Sequence, residues 1–290
     1  MQVQQLLKTA AATLAEAGVE DSRLEAELLL RDCLGVPRSH LFLLHDQQVK
    51  PKLEQRFQEY ITRRYRREPL QYILGSCEFW SLDFHVDPAV LIPRPETEFL
   101  LEHVFFTLGF KRDLPGLKIL DLCTGSGVVG VVLAMEFDHA AVTAVDYSPD
   151  ALAVARENIV YHGLEERINL VCADLLIGFK SDQVFDVIVT NPPYVKACDL
   201  SGLEPEVRDW EPELALSGGE TGMDVINRIC DDACCYLKPG GWLFMEIGAD
   251  IGAQVKHVFA ASERYEQVKI VNDWAGRPRV LQATNRKHTQ

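Results

Sequence analysis

From Leu117 onward, short apolar runs alternate with longer amphipathic stretches, and this alternation limits the possible folds more than any other feature. The runs are "LKILDL" (117–122), "AAVTAVD" (140–146), "INLVCAD" (168–174), "FDVIVTN" (185–191) and "GWLFMEIG" (241–248). Each is apolar on both faces of a strand, as expected where a sheet is covered on both sides. Between them lie helical patterns such as "SPDALAVARENIVYHG" (148–163). Strands alternating with helices predict a parallel, doubly wound α/β sheet. In such sheets ligands sit beyond the carboxyl ends of the strands, near the point where the strand order reverses.

The first part of the chain has a different period. Leu6, Leu7, Ala10, Leu14 and Ala17 recur at helical spacing. "EDSRLEAELLLRDCLG" (20–35) follows, with Asp21 or Ser22 as N-cap and Gly35 as the stop. "PKLEQRFQEYITRRYRR" (51–67) opens with Pro51, which is favourable in a first helical turn. A small helical bundle is expected. After Pro69, "EFWSLDFHVDPAVLIP" (78–93) alternates and reads as a hairpin, and "RPETEFLLEHVFFTLGF" (94–110) as a helix. The expected organisation is a helical N-terminal domain over 1–70, a β-hairpin linker over 71–95 and a large α/β domain over 96–290.

Composition excludes several classes. No apolar run approaches the roughly 18–20 residues needed to cross a bilayer, so no membrane association is expected. "MQVQQLLKTAAATLAEAG" is amphipathic and lacks the basic start and apolar core of an export signal, which places the chain in the cytoplasm. None of the eight cysteines forms a CxxC pair, so buried thiols are expected rather than disulfides or a metal site. The net charge is −14; residues 1–84 carry 11 basic and 12 acidic side chains, which leaves −13 on the remainder. So acidic a body repels a nucleic-acid backbone, and no direct DNA binding is expected. The one basic cluster, "RRYRRE" (63–68), reads as the solvated face of a helix.

The first strand of the sheet runs into "DLCTGSGVVG" (121–130), in which Gly125, Gly127 and Gly130 match GxGxxG. That pattern alone is shared by several nucleotide cofactors. Asp146 closes the next strand, where a carboxylate can accept both hydroxyls of an adenosine ribose. Asp174 closes the third and can accept from an adenine amino group. Asp121 precedes the glycines and can hold an ammonium. Adenosine carrying an amino acid is S-adenosylmethionine, converted on transfer to S-adenosylhomocysteine, and the order of these residues resembles the class I methyltransferases, with their seven-stranded sheet. Cys123 stands where that family usually has a glycine; a residue with a Cβ does not easily take positive φ, which predicts reduced cofactor affinity.

"NPPY" (191–194) follows the fourth strand. Two prolines stop the strand abruptly, since neither has an N–H to donate. The stretch resembles the (D/N/S)PP(Y/F/W) motif of enzymes that methylate planar nitrogens conjugated to a π system. Such a nitrogen is a weak nucleophile and needs two acceptors for its hydrogens. The Asn191 side-chain oxygen and the Pro192 carbonyl can supply them, with Tyr194 stacked on the substrate plane.

Together with "NPPYV", the stretches "EPLQYILGSCEFWSLDFHVDPAVLIPRPETE" (68–98), "EPELALSGGETG" (211–222) and "GGWLFMEIGADIG" (240–252) resemble the release factor glutamine methyltransferases, the PrmC/HemK family, over nearly the whole chain. The resemblance implies methylation of the side-chain amide nitrogen (N5) of the glutamine in the GGQ motif of class 1 peptide chain release factors; a monomer is expected. It implies cofactor contacts from Cys123, Thr124, Gly125, Ser126, Gly127, Asp146 and Leu175, where relatives often carry an aromatic, and Asn191 is expected at the cofactor as well. It implies glutamine contacts from Asn191, Pro192, Pro193 and Tyr194. Arg94 and Thr97 would line the mouth where the domains meet, Arg94 serving substrate or a structural ion pair. Competing readings are an N6-adenine nucleic-acid methyltransferase, a nicotinamide-dependent oxidoreductase, which leaves "NPPY" without a role, and a non-catalytic scaffold.

Overall fold

The computed structural model describes residues 1–109, 116–180, 182 and 184–287. They form two compact units: Met1–Ser76 with Glu204–Trp210, and Cys77–Leu203 with Glu211–Gln290.

The first unit contains helices α1 (Val3–Glu16), α2 (Ser22–Leu34), α3 (Pro51–Tyr65), α4 (Leu70–Leu74) and the short α8 (Pro205–Arg208). Val3, Leu6, Ala10 and Leu14 form the buried stripe of α1 and pack with Leu29, Leu30, Phe57 and Ile61. Asp21 occupies the N-cap position of α2 without a side-chain capping bond, and Gly35 ends that helix at φ 64°. Pro51 is in the first turn of α3. The solvated reading of "RRYRRE" is corrected. Tyr65 and Arg66 are exposed, but Arg64 is buried, paired with Glu25 at 2.5 Å and Glu206 at 2.9 Å. Arg67 binds Glu206 and Arg63 binds Glu68. The charges of Arg63, Arg64 and Arg67 are neutralised by these carboxylates, and a buried guanidinium such as that of Arg64 is tolerated only when paired.

The second unit opens with the hairpin of β1 (Ser76–Phe79) and β2 (Leu82–His85). Its two turn residues, Trp80 (φ 55°) and Ser81 (φ 58°), both take the left-handed conformation that a tight hairpin turn demands. Helix α5 (Pro95–Leu108) follows; Phe110, the last residue of the expected helix, lies outside the described residues.

The large sheet has the order β5-β4-β3-β6-β7-β9-β8, with β3 (Lys118–Leu122), β4 (Ala141–Asp146), β5 (Ile168–Cys172), β6 (Phe185–Thr190), β7 (Leu237–Glu246), β8 (Tyr265–Asn272) and β9 (Pro278–Asn285). Strands β3 to β7 run parallel, while β9 pairs antiparallel with β7 and β8. The last two strands carry little apolar-run signal: β8 is an edge strand on which the exposed Gln267, Lys269 and Asn272 interrupt partly buried positions. Alternate residues feed two cores. Ile119, Val187 and Val189 face α5, α6 (Val128–Glu136) and α7 (Pro149–Tyr161). Leu120, Leu122 and Ile188 face α10 (Asp224–Asp232) and α11 (Gly252–Ala261), with the one-turn α9 (Glu213–Leu216) nearby in sequence. Each such fully buried aliphatic side chain contributes about 1.5–3 kcal/mol. The chain runs outward from β3 through β4 to β5 and then returns to β6 on the other side of β3, so the strand order reverses between β3 and β6.

All eight cysteines are free thiols. Cys33, Cys230 and Cys234 are buried as expected; Cys172, Cys198 and Cys235 are exposed, since they lie at strand and helix ends and in a loop rather than within apolar faces. No helix among the described residues is long and apolar enough to cross a membrane.

Candidate active site

The loop leaving β3 turns on Cys123, which adopts φ 62° despite its side chain. A left-handed non-glycine residue costs roughly 1–2 kcal/mol. Neighbouring hydrogen bonds impose the turn: the Thr124 N–H donates to the Val145 carbonyl at 2.9 Å and the Gly127 N–H to the Thr124 carbonyl at 2.9 Å. Asp121 is buried beneath this loop, where its Oδ2 accepts from the Thr124 hydroxyl and from the Gly130 N–H at 2.9 Å. Burial pushes its carboxyl up to about 7, against those two bonds. A Cβ at Gly130 would stand 3.0 Å from Asp121 Oδ2, so the glycine permits this approach. From α7, the buried Asn158 amide donates to the Ser126 carbonyl (2.8 Å) and the His85 carbonyl (3.0 Å) and accepts from the His85 N–H (2.7 Å). It ties the loop to the hairpin.

Asp146, at the end of β4, accepts from the Gly125 N–H at 2.8 Å through one oxygen and from the Ser148 N–H at 2.9 Å through the other. Burial raises its carboxyl above the usual range, opposed by these backbone bonds. A carboxylate has about four lone-pair sites, so acceptor capacity remains on both oxygens. Asp174 pairs with Arg228 of α10 at 2.8 Å. Leu175, at φ 53°, is buried.

Beyond β6, the Asn191 Nδ2 donates to Thr97 Oγ1 at 3.2 Å. The Thr97 hydroxyl donates to Glu246 Oε2 at 2.7 Å, and the Tyr194 hydroxyl to Glu246 Oε1 at 3.1 Å. Glu246 ends β7 and is fully buried. Burial raises its carboxyl; the Thr97 bond, the charge of Arg279 and the Tyr194 bond oppose that. The segment after "NPPY" is clamped by the loop at 216–222: Val195 N–H donates to the Leu216 carbonyl and Gly218 N–H to the Val195 carbonyl, both at 2.8 Å. At Gly222 (φ 76°) a Cβ would stand 2.5 Å from the Tyr194 carbonyl oxygen. Arg94, the N-cap residue of α5, pairs with the buried Glu211 at 2.5 Å.

One cavity of about 410 Å³ joins these parts. Cys123, Thr124, Gly125, Ser126, Asp146, Asp174, Leu175, Asn191, Pro193, Arg94 and Thr97 all line it. Asp121, Gly127, Pro192 and Tyr194 are not in its wall: Asp121 lies under the loop, Pro192 is buried, and the Tyr194 ring is half-buried with its hydroxyl on Glu246. Sequence reasoning missed Glu246, Asn158, Glu211 and Arg228. Glu246 and Glu211 lie in "GGWLFMEIGADIG" and "EPELALSGGETG", quoted for the family resemblance but given no role; Asn158 and Arg228 carry no local sign.

The PrmC N-terminal domain family matches residues 5–75 and the methyltransferase small domain family matches residues 96–202. Among solved structures, the 16S rRNA N2 G1207 methyltransferase of T. thermophilus, in complex with AdoMet and guanosine, has a similar fold. The TM-score is 0.52 and the identity 22%, over 73% of this chain and 50% of that one. The sheet order, and a crevice formed by the loops that follow β3, β4 and β6, define a class I methyltransferase fold. A release factor glutamine methyltransferase of Koribacter versatilis is 41% identical over 97% of this chain and 98% of that protein. One of Geobacter sulfurreducens is 43% identical over 85% and 84%. The chain belongs to the release factor glutamine methyltransferase family.

Proposed function

We propose that the protein transfers a methyl group from S-adenosylmethionine to the side-chain amide nitrogen of the glutamine in the GGQ motif of class 1 peptide chain release factors. Membership of the family supports the reaction. The observation that carries the chemistry is the Asn191 amide: its nitrogen is spent on Thr97, which leaves its oxygen for a substrate N–H.

The residues present fit the cofactor. Asp146 can accept from ribose hydroxyls, Asp174 from an adenine amino group, Leu175 offers an apolar wall, and Cys123 to Ser126 border the same cavity. The cavity volume falls in the range of about 300–1,000 Å³ usual for small-molecule sites. Asp121 acts from beneath, by holding Thr124 and Gly130 in the turn. S-adenosylmethionine supplies the electrophilic methyl when bound.

The chain's own residues do the remaining work. Asn191 Oδ1 and the Pro192 carbonyl take the two amide hydrogens and turn the face of the nitrogen toward the methyl. Pro192 and Pro193 hold that carbonyl at little entropic cost. Tyr194, fixed through its hydroxyl on Glu246, backs the site from outside the cavity wall, which Arg94 and Thr97 help to line. Transfer would yield the N-methyl amide and S-adenosylhomocysteine and release one amide hydrogen as a proton, so the chain's residues are needed to hold the nitrogen rather than to act as a strong base. Alignment and electrostatic support are the sources of rate.

A tritiated-methyl assay with purified release factor and a DNA oligonucleotide side by side tests the reading. Label is expected on the release factor glutamine. Label on adenine, with none on protein, would overturn it.

A further inference from the structure

Four polar groups meet at the cavity wall, and with Glu246 ionised only one arrangement of their hydrogens satisfies them all. Glu246 Oε2 receives the Thr97 hydroxyl at 2.7 Å and Oε1 the Tyr194 hydroxyl at 3.1 Å. A carboxylate only accepts, and a threonine hydroxyl has a single hydrogen. With that hydrogen committed to Glu246, Thr97 Oγ1 can offer Asn191 nothing but a lone pair. The Asn191 group 3.2 Å away must therefore be its NH₂. Turning the amide over would set its oxygen against the Thr97 oxygen, two acceptors facing each other. Both Thr97 and Glu246 are buried, at 3% and 0% exposure. The three elements involved, α5, the end of β6 and the end of β7, are fixed by the sheet and its covering helix.

We infer that Glu246 is a positioning residue: acting through Thr97, it locks the Asn191 carboxamide with its oxygen toward the cavity and so sets the site to accept a nitrogen that carries hydrogens. This rests on the reading that Asn191 grips the acceptor amide. It also assigns a selectivity. A glutamine side chain offers one of its two amide hydrogens to the waiting oxygen, whereas a glutamate in its place meets an acceptor with a negative charge and is rejected. Once the lock is removed, the carboxamide can turn its NH₂ outward, and the rejection weakens.

The test uses the full-length protein with Glu246→Gln, Thr97→Val, Thr97→Ser and Asn191→Ala. Three quantities are read: kcat for release factor methylation, the cofactor dissociation constant, and competitive inhibition by a release factor whose GGQ glutamine is replaced by glutamate. Thr97→Val keeps the shape but removes the hydroxyl, and should lower kcat about 10- to 100-fold, the effect of one misdirected hydrogen bond. Cofactor affinity should hold within about threefold. The Glu246 variant, whose amide can donate to Thr97 and reverse the order of hydrogens, should follow the same trend. In both, the preference for glutamine over glutamate should fall about tenfold or more, and Thr97→Ser, which retains the hydroxyl, should restore both kcat and preference. A merely structural role would lower activity without moving that preference. Unchanged kcat and preference in Thr97→Val, or loss in Thr97→Ser as deep as in Thr97→Val, would overturn the inference. If Glu246→Gln does not fold, the isosteric Thr97→Val decides alone. Asn191→Ala separates the two levels: full turnover there removes the underlying reading, whereas an inactive Asn191→Ala beside wild-type behaviour in Thr97→Val removes only the lock.

Discussion

Asp146 and Gly125, 21 residues apart, meet through a 2.8 Å bond from the glycine N–H to the carboxylate. The end of β4 and the loop after β3 are thus one unit, and a change at Asp146 acts on both. Asp146→Ala should weaken S-adenosylmethionine binding by about 1–3 kcal/mol, as when a charged hydrogen-bonding partner is lost. Calorimetric titration measures this, and unchanged affinity would remove Asp146 from the ribose role.

Asn191→Ala should abolish methyl transfer while leaving cofactor affinity nearly intact, because its contacts in the fold are to Thr97 rather than to the loop after β3. Single-turnover assays beside a binding titration separate the two effects. A joint collapse would place Asn191 on the cofactor instead.

The titration of Asp121 should be visible in stability. Its folded carboxyl is raised from near 4 to about 7 by burial. The raised value means that its stabilising contribution is complete below about pH 4 and is lost as pH rises through about 7. Asp121→Asn can keep both bonds, since each goes to the same oxygen. The variant should therefore gain on the wild type between pH 5 and pH 8, by an amount on the order of a few kcal/mol at most. Urea unfolding at the two pH values gives the difference; a constant gap would contradict it.

Gly222→Ala should be strongly destabilising, since it combines positive φ with a Cβ 2.5 Å from the Tyr194 carbonyl. A loss of roughly 2–4 kcal/mol is expected from strain of this kind. Thermal unfolding followed by circular dichroism would register it, with turnover falling further than stability because Tyr194 is displaced.

Arg64→Ala should cost about 3–5 kcal/mol in the first unit, because it strands the Glu25 carboxylate and leaves Glu206 to Arg67 alone. Unfolding of the full chain checks this; a loss under about 1 kcal/mol, the worth of an exposed pair, would show the ions to be solvated.

What could be read from the sequence follows from how each feature is encoded. The five parallel strands announce themselves as apolar runs, and the turn at 123–127 and the stop at 191–194 through glycine and proline, whose backbone demands are local. β8 and β9 were expected only through the family's strand count, because an edge strand with polar alternation resembles a loop. The placement of Arg64 and Glu246 was illegible for another reason. Arg64 meets a partner 39 residues away and Thr97 meets Glu246 across 149, and a side-chain bond between distant positions leaves no periodic trace. Cys123 was judged a poor fit for positive φ, yet it takes 62° because the bonds of its neighbours outweigh its own preference.

Leu122 and Thr190 are direct neighbours on adjacent parallel strands, which separates the roots of the loops that follow them by about 4.8 Å. That gap belongs to the stiffest layer of the molecule. A bisubstrate inhibitor that joins an adenosine-like half to an amide-bearing half could therefore be designed against a fixed ruler, with linker length as the first variable to optimise.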